Sequence, residues 1–400
     1  MKQIIQTIVI CSLLFFHCGK LQAQETRKSL SECIEMALKN NLQMQAAELD
    51  VQQAKALRGT AFNPEKTSIS YEQDPLTPDW IDKKVSITQS VEFPTVYAAQ
   101  GKMLKEEALL AEKSQMVSQN EVTKNVSEAY FNLCHAMQIT QLLQRQDSIY
   151  KGFIDRATIR FNAGETNRLE LMNAHNRYQE NRLQMHKAKA DLANSQLVLQ
   201  QLLCSPEPIL PPDNTPQKLP DDFLAVADTT DVSDNPLVEY YNQRMNVGKA
   251  HVSVEKSKFM PDLFGGYSFN DTKLPGFQVG ISVPIFFGAN RAKFKAAKIR
   301  SDQLYIERQQ AEQSVQLAYS VQYNEYVKAK ESLTYYQTIG MPQAEEIMQT
   351  AQTAYQLGEI GYMEYIQNLQ TAIGIKIQTV DALNQFNQSI IVLNYLKGEK

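Results

Sequence analysis

The chain has 400 residues, 43% of them hydrophobic and 21% charged, so it is long enough for more than one folded unit and too apolar to be disordered throughout. Forty basic against 44 acidic residues give a net charge of −4, which carries no electrostatic footprint for nucleic acid. Past the N-terminus no run of 18 apolar residues occurs. That excludes a transmembrane helix but not a barrel, whose alternating strands escape a hydropathy window.

The chain opens with Lys2, a mostly apolar stretch at 4–16, and Leu21-Gln22-Ala23. This order predicts a secretion signal over 1–23 and a mature chain starting near Gln24. Cys18 follows Phe15-Phe16-His17, a poor context for lipid attachment. Cys33, Cys134 and Cys204 remain beyond the leader. They are odd in number and far apart, so they predict neither a disulfide framework nor a metal pair, and small buried residues are expected.

The mature chain reads as one unit written twice. Asn41-Leu42 opens a helical stretch that Asn63-Pro64 ends; Asn235-Pro236-Leu237 opens another that Met260-Pro261 ends. Strands are predicted at 67–73 and 84–93, then at 263–270 and 276–285. Val85 and Val279 lie 194 residues apart, and so do Phe161-Asn162-Ala163-Gly164-Glu165 and Tyr355-Gln356-Leu357-Gly358-Glu359. The first repeat is placed at 24–203 and the second at 235–400, with long helices at 288–357 and 361–398. Between them, 204–234 holds prolines at 206, 208, 211, 212, 216 and 220, which predicts a linker without helix or central strand. Gly340-Met341-Pro342 predicts a break or kink inside the long helix of the second repeat.

The helices carry narrow apolar seams. Val122, Val126, Ala129, Leu133, Ala136 and Leu143 recur at mostly three- and four-residue steps, as do Ile366, Leu369, Ile373, Ile377, Val380, Leu383 and Ile390. Polar residues fill the other faces, which is coiled-coil patterning. The strands alternate cleanly. Val85, Ile87, Val91 and Phe93 oppose Lys84, Ser86, Thr88, Ser90 and Glu92; Phe277, Val279, Ile281, Val283 and Ile285 oppose Gln278, Gly280 and Ser282. Small polar residues on one face suit a water-filled lumen, and strands of about eight to ten residues suit a membrane crossing. Four strands cannot close a barrel, so a membrane-spanning reading requires several copies to share one, and three would give twelve strands.

In this duplicated order the chain resembles the TolC-like outer-membrane efflux proteins. The resemblance rests on Gln89-Ser90-Val91-Glu92-Phe93-Pro94 and Ile281-Ser282-Val283-Pro284-Ile285-Phe286 at the strand exits. It rests equally on Arg160-Phe161-Asn162-Ala163-Gly164 and Ala354-Tyr355-Gln356-Leu357-Gly358 at the helix turns. It implies a mainly α homotrimer with a small β part: a coiled-coil tunnel crossing the periplasm and a shared twelve-stranded barrel in outer-membrane lipid. It further implies a passive exit duct for small solutes such as metal cations or drugs. The implied partners are a periplasmic adaptor of the membrane-fusion type and an inner-membrane pump, including the proton-driven resistance-nodulation-division type. Phe93-Pro94-Thr95-Val96-Tyr97 resembles the heavy-metal cation branch.

By the same resemblance, Gly164, Glu165, Gly358, Glu359 and Gly361 form the tip turns, with the glycines supplying positive φ. Glu364 and Gln367, with Glu170 as the first-repeat equivalent of Glu364, stand at the channel constriction; the family has paired aspartates where this chain has one carboxylate and one amide. Arg168, Leu169, Tyr362 and Met363 are expected adaptor contacts, and Pro94 and Pro284 the strand-to-helix bends.

His135, His175, His186 and His251 are scattered without metal spacing and are expected to be solvated or at interfaces. No phosphate loop, nucleophile motif or cofactor signature occurs, so no enzyme and no cofactor are expected. Two other readings stay open from sequence: a protein-secretion duct of the same fold, and a periplasmic coiled-coil adaptor or scaffold. The second leaves the duplicated strand pairs unexplained.

Overall fold

The computed structural model describes residues 26–77, 80–212, 217–221, 232–270, 275–283 and 285–398. The predicted leader with Cys18, parts of the predicted linker, and Pro284 lie outside the described residues. In chain order the elements are β1 (Thr26–Arg27), α1 (Leu30–Asn40), α2 (Leu42–Leu57), a 3-10 turn (Arg58–Ala61), β2 (Ser68–Thr77), β3 (Trp80–Val91), α3 (Pro94–Asn162) and α4 (Arg168–Leu203). There follow β4 (Ile209–Leu210), α5 (Pro236–Ser257), β5 (Asp262–Asn270), β6 (Pro275–Ser282), α6 (Gly288–Tyr335), a π turn (Tyr336–Gly340), α7 (Met341–Leu357) and α8 (Tyr362–Lys397). The fold is therefore mainly α with a small β part. It divides into two compact units, each drawing on both halves of the sequence.

The first unit comprises Met1–Asn41, Val122–Leu224 and Tyr323–Val392. Its core is built by the predicted seams: Val122, Val126 and Leu133 of α3 are buried, as are Leu369, Leu383 and Ile390 of α8, while Ile377 and Val380 are half-buried. Leu199 and Leu203 of α4, Leu333 of α6 and Phe386 of α8 complete it. Each such side chain contributes roughly 1.5–3 kcal/mol by leaving water. Ser29 and Glu32 form a capping box that starts α1. The residues of the predicted linker do form one short strand: β4 pairs in parallel with β1, and Arg27 Nη1 donates to the Pro212 carbonyl at 2.8 Å.

The interruption expected at Gly340-Met341-Pro342 takes the form of a π turn at Tyr336–Gly340, which ends α6 at Tyr335 and lets α7 start at Met341. One other expectation is corrected in this unit. Cys204 is exposed, not buried; it ends α4 in the left-handed region at φ 48°. His135 sits at the interface of α3 and α8, with Nε2 2.6 Å from Asp381 Oδ1. Cys33 is buried as expected, and burial pushes its thiol up to about 11. Burial likewise pushes half-buried Cys134 to about 12, so neither is a ready nucleophile.

The second unit comprises Leu42–Glu121, Ala225–Gln322 and Leu393–Lys400. Asn235 caps α5 by accepting from Leu237 N at 2.8 Å, and Pro236 occupies the first helical position. Pro94 plays the same part in α3, directly after β3. α5 and α6 approach closely at Gly248, where an added Cβ would lie 2.6 Å from Leu304 Cδ1.

The sheet of this unit is antiparallel with order β2-β3-β5-β6. Its strands differ from the predicted bounds. β2 and β3 extend to Thr77 and Trp80, because Pro75 falls at a register shift on an outer strand, where a missing N–H is tolerated. β3 ends at Val91 and β6 at Ser282, so Phe93 and Ile285 lie beyond the ladder.

The register turns alternation into two contrasting walls. Ile69, Ile87, Tyr267 and Phe277 stand in one cross-strand row, and Tyr71, Val85 and Phe269 in the next. Val279 and Phe277 on this apolar wall are 89% and 81% exposed. On the opposite wall, Ser68, Thr88, Gly266 and Gln278 form a row beside Ser70, Ser86, Ser268 and Gly276. The Ser70 and Ser86 hydroxyls hydrogen-bond at 2.9 Å. Phe264 is the exception on this polar wall. It lies opposite Gly280, and its ring covers the glycine so closely that an added Cβ would fall 2.4 Å from Cζ. A ring laid over a bare strand backbone recovers burial that glycine cannot provide.

Gly280→Ala should therefore destabilise the folded protein by about 1 kcal/mol, and the loss should shrink when Phe264→Ala is added. Thermal unfolding of the four members of this cycle measures the coupling; additive effects would contradict the contact.

Candidate functional site

The two tip turns lie in the first unit and use the same backbone solution. In the turn between α3 and α4, Gly164 has φ +74°, Gly164 N donates to Phe161 O at 3.0 Å and Glu165 N to Arg160 O at 2.9 Å. Between α7 and α8, Gly358 has φ +76°, Gly358 N donates to Tyr355 O at 3.2 Å and Glu359 N to Ala354 O at 2.9 Å. This paired closure of a helix C-terminus requires a residue in the left-handed region, which is why glycine stands there. Gly361 does not share that requirement; positive φ among the described glycines is confined to Gly164, Gly358 and Gly398. Gly361 instead precedes α8 and accepts from Tyr365 N at 3.1 Å.

The two glutamates six residues past the turn glycines have different surroundings. Glu170 is tied down: Asn167 caps its backbone N–H at 2.9 Å, Thr166 Oγ1 donates to its carboxylate, and Arg160 Nη1 lies 3.4 Å from Oε1. Arg160 also reaches Glu165 at 3.9 Å. Glu170 thus staples its own turn rather than presenting a free charge. Glu364 is exposed in the first turn of α8 and lines a groove of about 630 Å³ with Glu346, Gln343, Asn368 and Thr350, floored by Ile347, Ala351, Ala354 and Ile360. Gln367 is exposed one turn further along.

Of the expected contact residues, Arg168, Leu169 and Met363 are exposed, and Asn173 Nδ2 lies 3.6 Å from Met363 Sδ. Tyr362 is different. It is 5% exposed and sits in a core with Tyr150, Phe153, Ala174, Tyr365 and Ile366. Phe153 is the hub, with ring centroids 5.7 Å from Tyr362, 5.0 Å from Tyr365 and 6.1 Å from Tyr355. Arg156 lies over its face at 5.0 Å. Tyr362 therefore holds the two hairpins together and has no ring surface left for a partner. The three-residue spacings of Tyr150 with Phe153 and of Tyr362 with Tyr365 carry this cluster in the sequence, but only the fold brings the two pairs together.

The geometry is then matched by relatives. The sequence profile of the outer membrane efflux protein family matches residues 80–205 and 233–399. The chain belongs to the outer membrane efflux protein family. Among curated proteins none matches by sequence. Solved structures similar to this family member include CusC, with 20% identity, 93% of this chain and 92% of that one covered, and a TM-score of 0.77. A membrane protein from Pseudomonas aeruginosa matches at 16% identity, 92% and 90% coverage and a TM-score of 0.78. The Campylobacter jejuni CmeC outer membrane channel matches at 19% identity, 92% and 85% coverage and a TM-score of 0.71. The chain thus has the fold of the TolC-like channels.

Within this family member the Tyr362 hydroxyl is buried without a hydrogen-bond partner among the described residues. Burial first, and then the nearby Tyr150 and Glu170, raise its ionisation well above the ordinary phenol; burial raises Tyr365 too. Both phenols hold their protons more tightly folded than unfolded. Their contribution is intact below about pH 10 and declines as pH rises beyond it. Tyr362→Phe should stabilise the protein by about 1 kcal/mol, since an orphan hydroxyl is removed, and should weaken the loss of stability above pH 10. Melting curves from pH 7 to 11 check both effects; a destabilised variant would show that the hydroxyl has a partner.

Proposed function

We propose that the chain is a passive exit duct of the outer membrane, built from three copies that each contribute four strands to one barrel and their long helices to a periplasmic tunnel. The observation that carries this reading is the sheet: one exposed apolar wall, one wall of serine, threonine and glycine, and outer strands β2 and β6 with no further strand beside them among the described residues. An apolar wall suits lipid, a small polar wall suits water, and closure removes the open edges that hydrocarbon does not tolerate. A secreted, outer-membrane chain follows from the same reading, with the leader at 1–23 removed.

The cargo is small solute, handed over by a periplasmic adaptor and an inner-membrane pump; the duct itself performs no catalysis. The tips are the proposed closing end. Glu364 is the proposed selective group, because its carboxylate lines an open groove, whereas Glu170 is committed to Arg160 and Thr166. Three copies of Glu364 around an axis would favour cations and repel one another as the passage narrows. Gln367 adds a neutral polar group beside them. Arg168, Leu169 and Met363 form the proposed adaptor-facing surface.

Glu364→Gln should lower cation-over-anion selectivity and weaken divalent-cation block several-fold in planar bilayers, while Glu170→Gln should mainly lower thermal stability. Unchanged selectivity and block in Glu364→Gln would overturn the assignment of the constriction.

A further inference from the structure

The junction between β6 and α6 has chemistry that neither the strands nor the tips explain. Val283, Ile285 and Phe286 follow the sheet and stay exposed, Phe286 at 90%. In sequence, Val283 and Ile285 continue the odd-numbered apolar series of Phe277, Val279 and Ile281, and both are exposed past the last ladder pair. The start of α6 is anchored firmly. Phe287 stacks on Phe259 at 6.2 Å, Phe294 meets Phe259 edge-on at 6.2 Å, and Asn290 Nδ2 donates to Lys258 O at 3.2 Å. Phe286 is thus exposed next to a fixed hinge of packed aromatics, not on a loose segment.

Directly below, α6 carries Arg291, Lys293, Lys295, Lys298 and Arg300, and its first acidic residue is Asp302. Arg291, Lys295 and Lys298 follow the i, i+4, i+7 spacing that places side chains on one helical face. Arg300 pairs with Glu307 at 3.1 Å, whereas the other four are exposed and have no ion pair among the described residues. Cations in the opening turns of a helix oppose its dipole, so helix stability does not account for them. Nor does the repeat plan. The positions 194 residues earlier are Glu92 for Phe286, Tyr97 for Arg291, Gly101 for Lys295 and Leu104 for Lys298, and Leu104 is buried in packing.

An exposed aromatic next to an apolar wall, followed at once by a face of unpaired cations, matches the sequence of layers at a bilayer boundary: acyl chain, then phosphate. We propose that Phe286 with Arg291, Lys295 and Lys298 forms a collar that binds anionic phospholipid headgroups of the periplasmic leaflet and fixes the depth of the barrel in the membrane. The inference rests on the outer-membrane reading above and adds a partner that reading does not specify. The headgroup is the occupant because exposed cations follow a run of exposed apolar residues, the first about one and a half turns and the last a little over three turns past an exposed phenylalanine; free phosphate would have no use for the ring.

The test uses the full chain extracted in mild detergent. Native mass spectrometry and nanodisc exchange would compare phosphatidylglycerol with phosphatidylcholine. Wild type should retain phosphatidylglycerol preferentially. Arg291→Gln, Lys295→Gln and Lys298→Gln together should lower that preference on the order of 100-fold, from about fivefold for each cation at an anionic surface. Phe286→Ser should weaken retention of both lipids, and 10-fold excess inorganic phosphate should not displace the bound lipid. Equal retention by wild type and the triple variant, full displacement by phosphate, or retention of an acidic protein in place of lipid would each overturn the collar. Conductance of the same preparations separates the two levels. A conducting triple variant with unchanged lipid preference defeats the collar alone. A wild type that neither enters membranes nor conducts defeats the duct reading and the collar with it.

Discussion

The outer strands β2 and β6 each leave a row of backbone donors and acceptors without a ladder partner among the described residues, and they do so beside a wall of exposed Ile, Val, Phe and Tyr. In water such an edge is an aggregation hazard; in hydrocarbon every unpaired group costs several kcal/mol. Much of the second unit makes sense as a response to this constraint. In the proposed barrel, the serines, threonines and glycines of the other wall can face water without filling the lumen. Phe264 lies flat over Gly280 instead of projecting from that wall. Pro75 is accommodated at a register shift of an outer strand.

The duplication gives two copies of one plan, and the differences between them are where function is to be sought. α3 runs unbroken from Pro94 to Asn162, whereas its counterpart passes through a π turn before α7. Gly340 is buried in that turn, where an added Cβ would lie 3.0 Å from Tyr336 Cδ1 and 3.2 Å from Ile375 Cγ2, so α8 packs closely on the turn there. At the tips, Glu170 is consumed by its own turn and Glu364 is left free in a groove. At the strand exits, Glu92 is answered by Phe286. In each case the second repeat carries the less self-sufficient chemistry.

Sequence reading found the strand faces and the helix seams because both are local periodicities: Val85 with Ile87, or Leu133 with Val126, announce their face by spacing alone. The turn glycines were legible for the same reason, since Gly164 and Gly358 recur in matching contexts. What was not legible depends on long-range placement. β1 and β4 are two residues each and pair across most of the first repeat. His135 meets Asp381 across 246 residues. Tyr362 reads as a tip residue by position, yet the packing of Phe153 against it decides its burial. Gly361 resembles a turn glycine in composition, but the chain has already reversed at Gly358.

The central claim is that β2 of one copy pairs with β6 of the next. Within one chain these strands are separated by β3 and β5, about 14 Å at the usual strand spacing, well beyond disulfide reach. A cysteine at Ser68 or Ser70 combined with one at Gln278 or Ser282, in a background lacking Cys33, Cys134 and Cys204, therefore reports only contacts between copies. Oxidation of membrane-embedded protein should give covalent dimers and closed trimers for the pairs in register. Monomer alone across all four combinations, from protein that is folded and reactive to thiol reagents, would contradict the shared barrel.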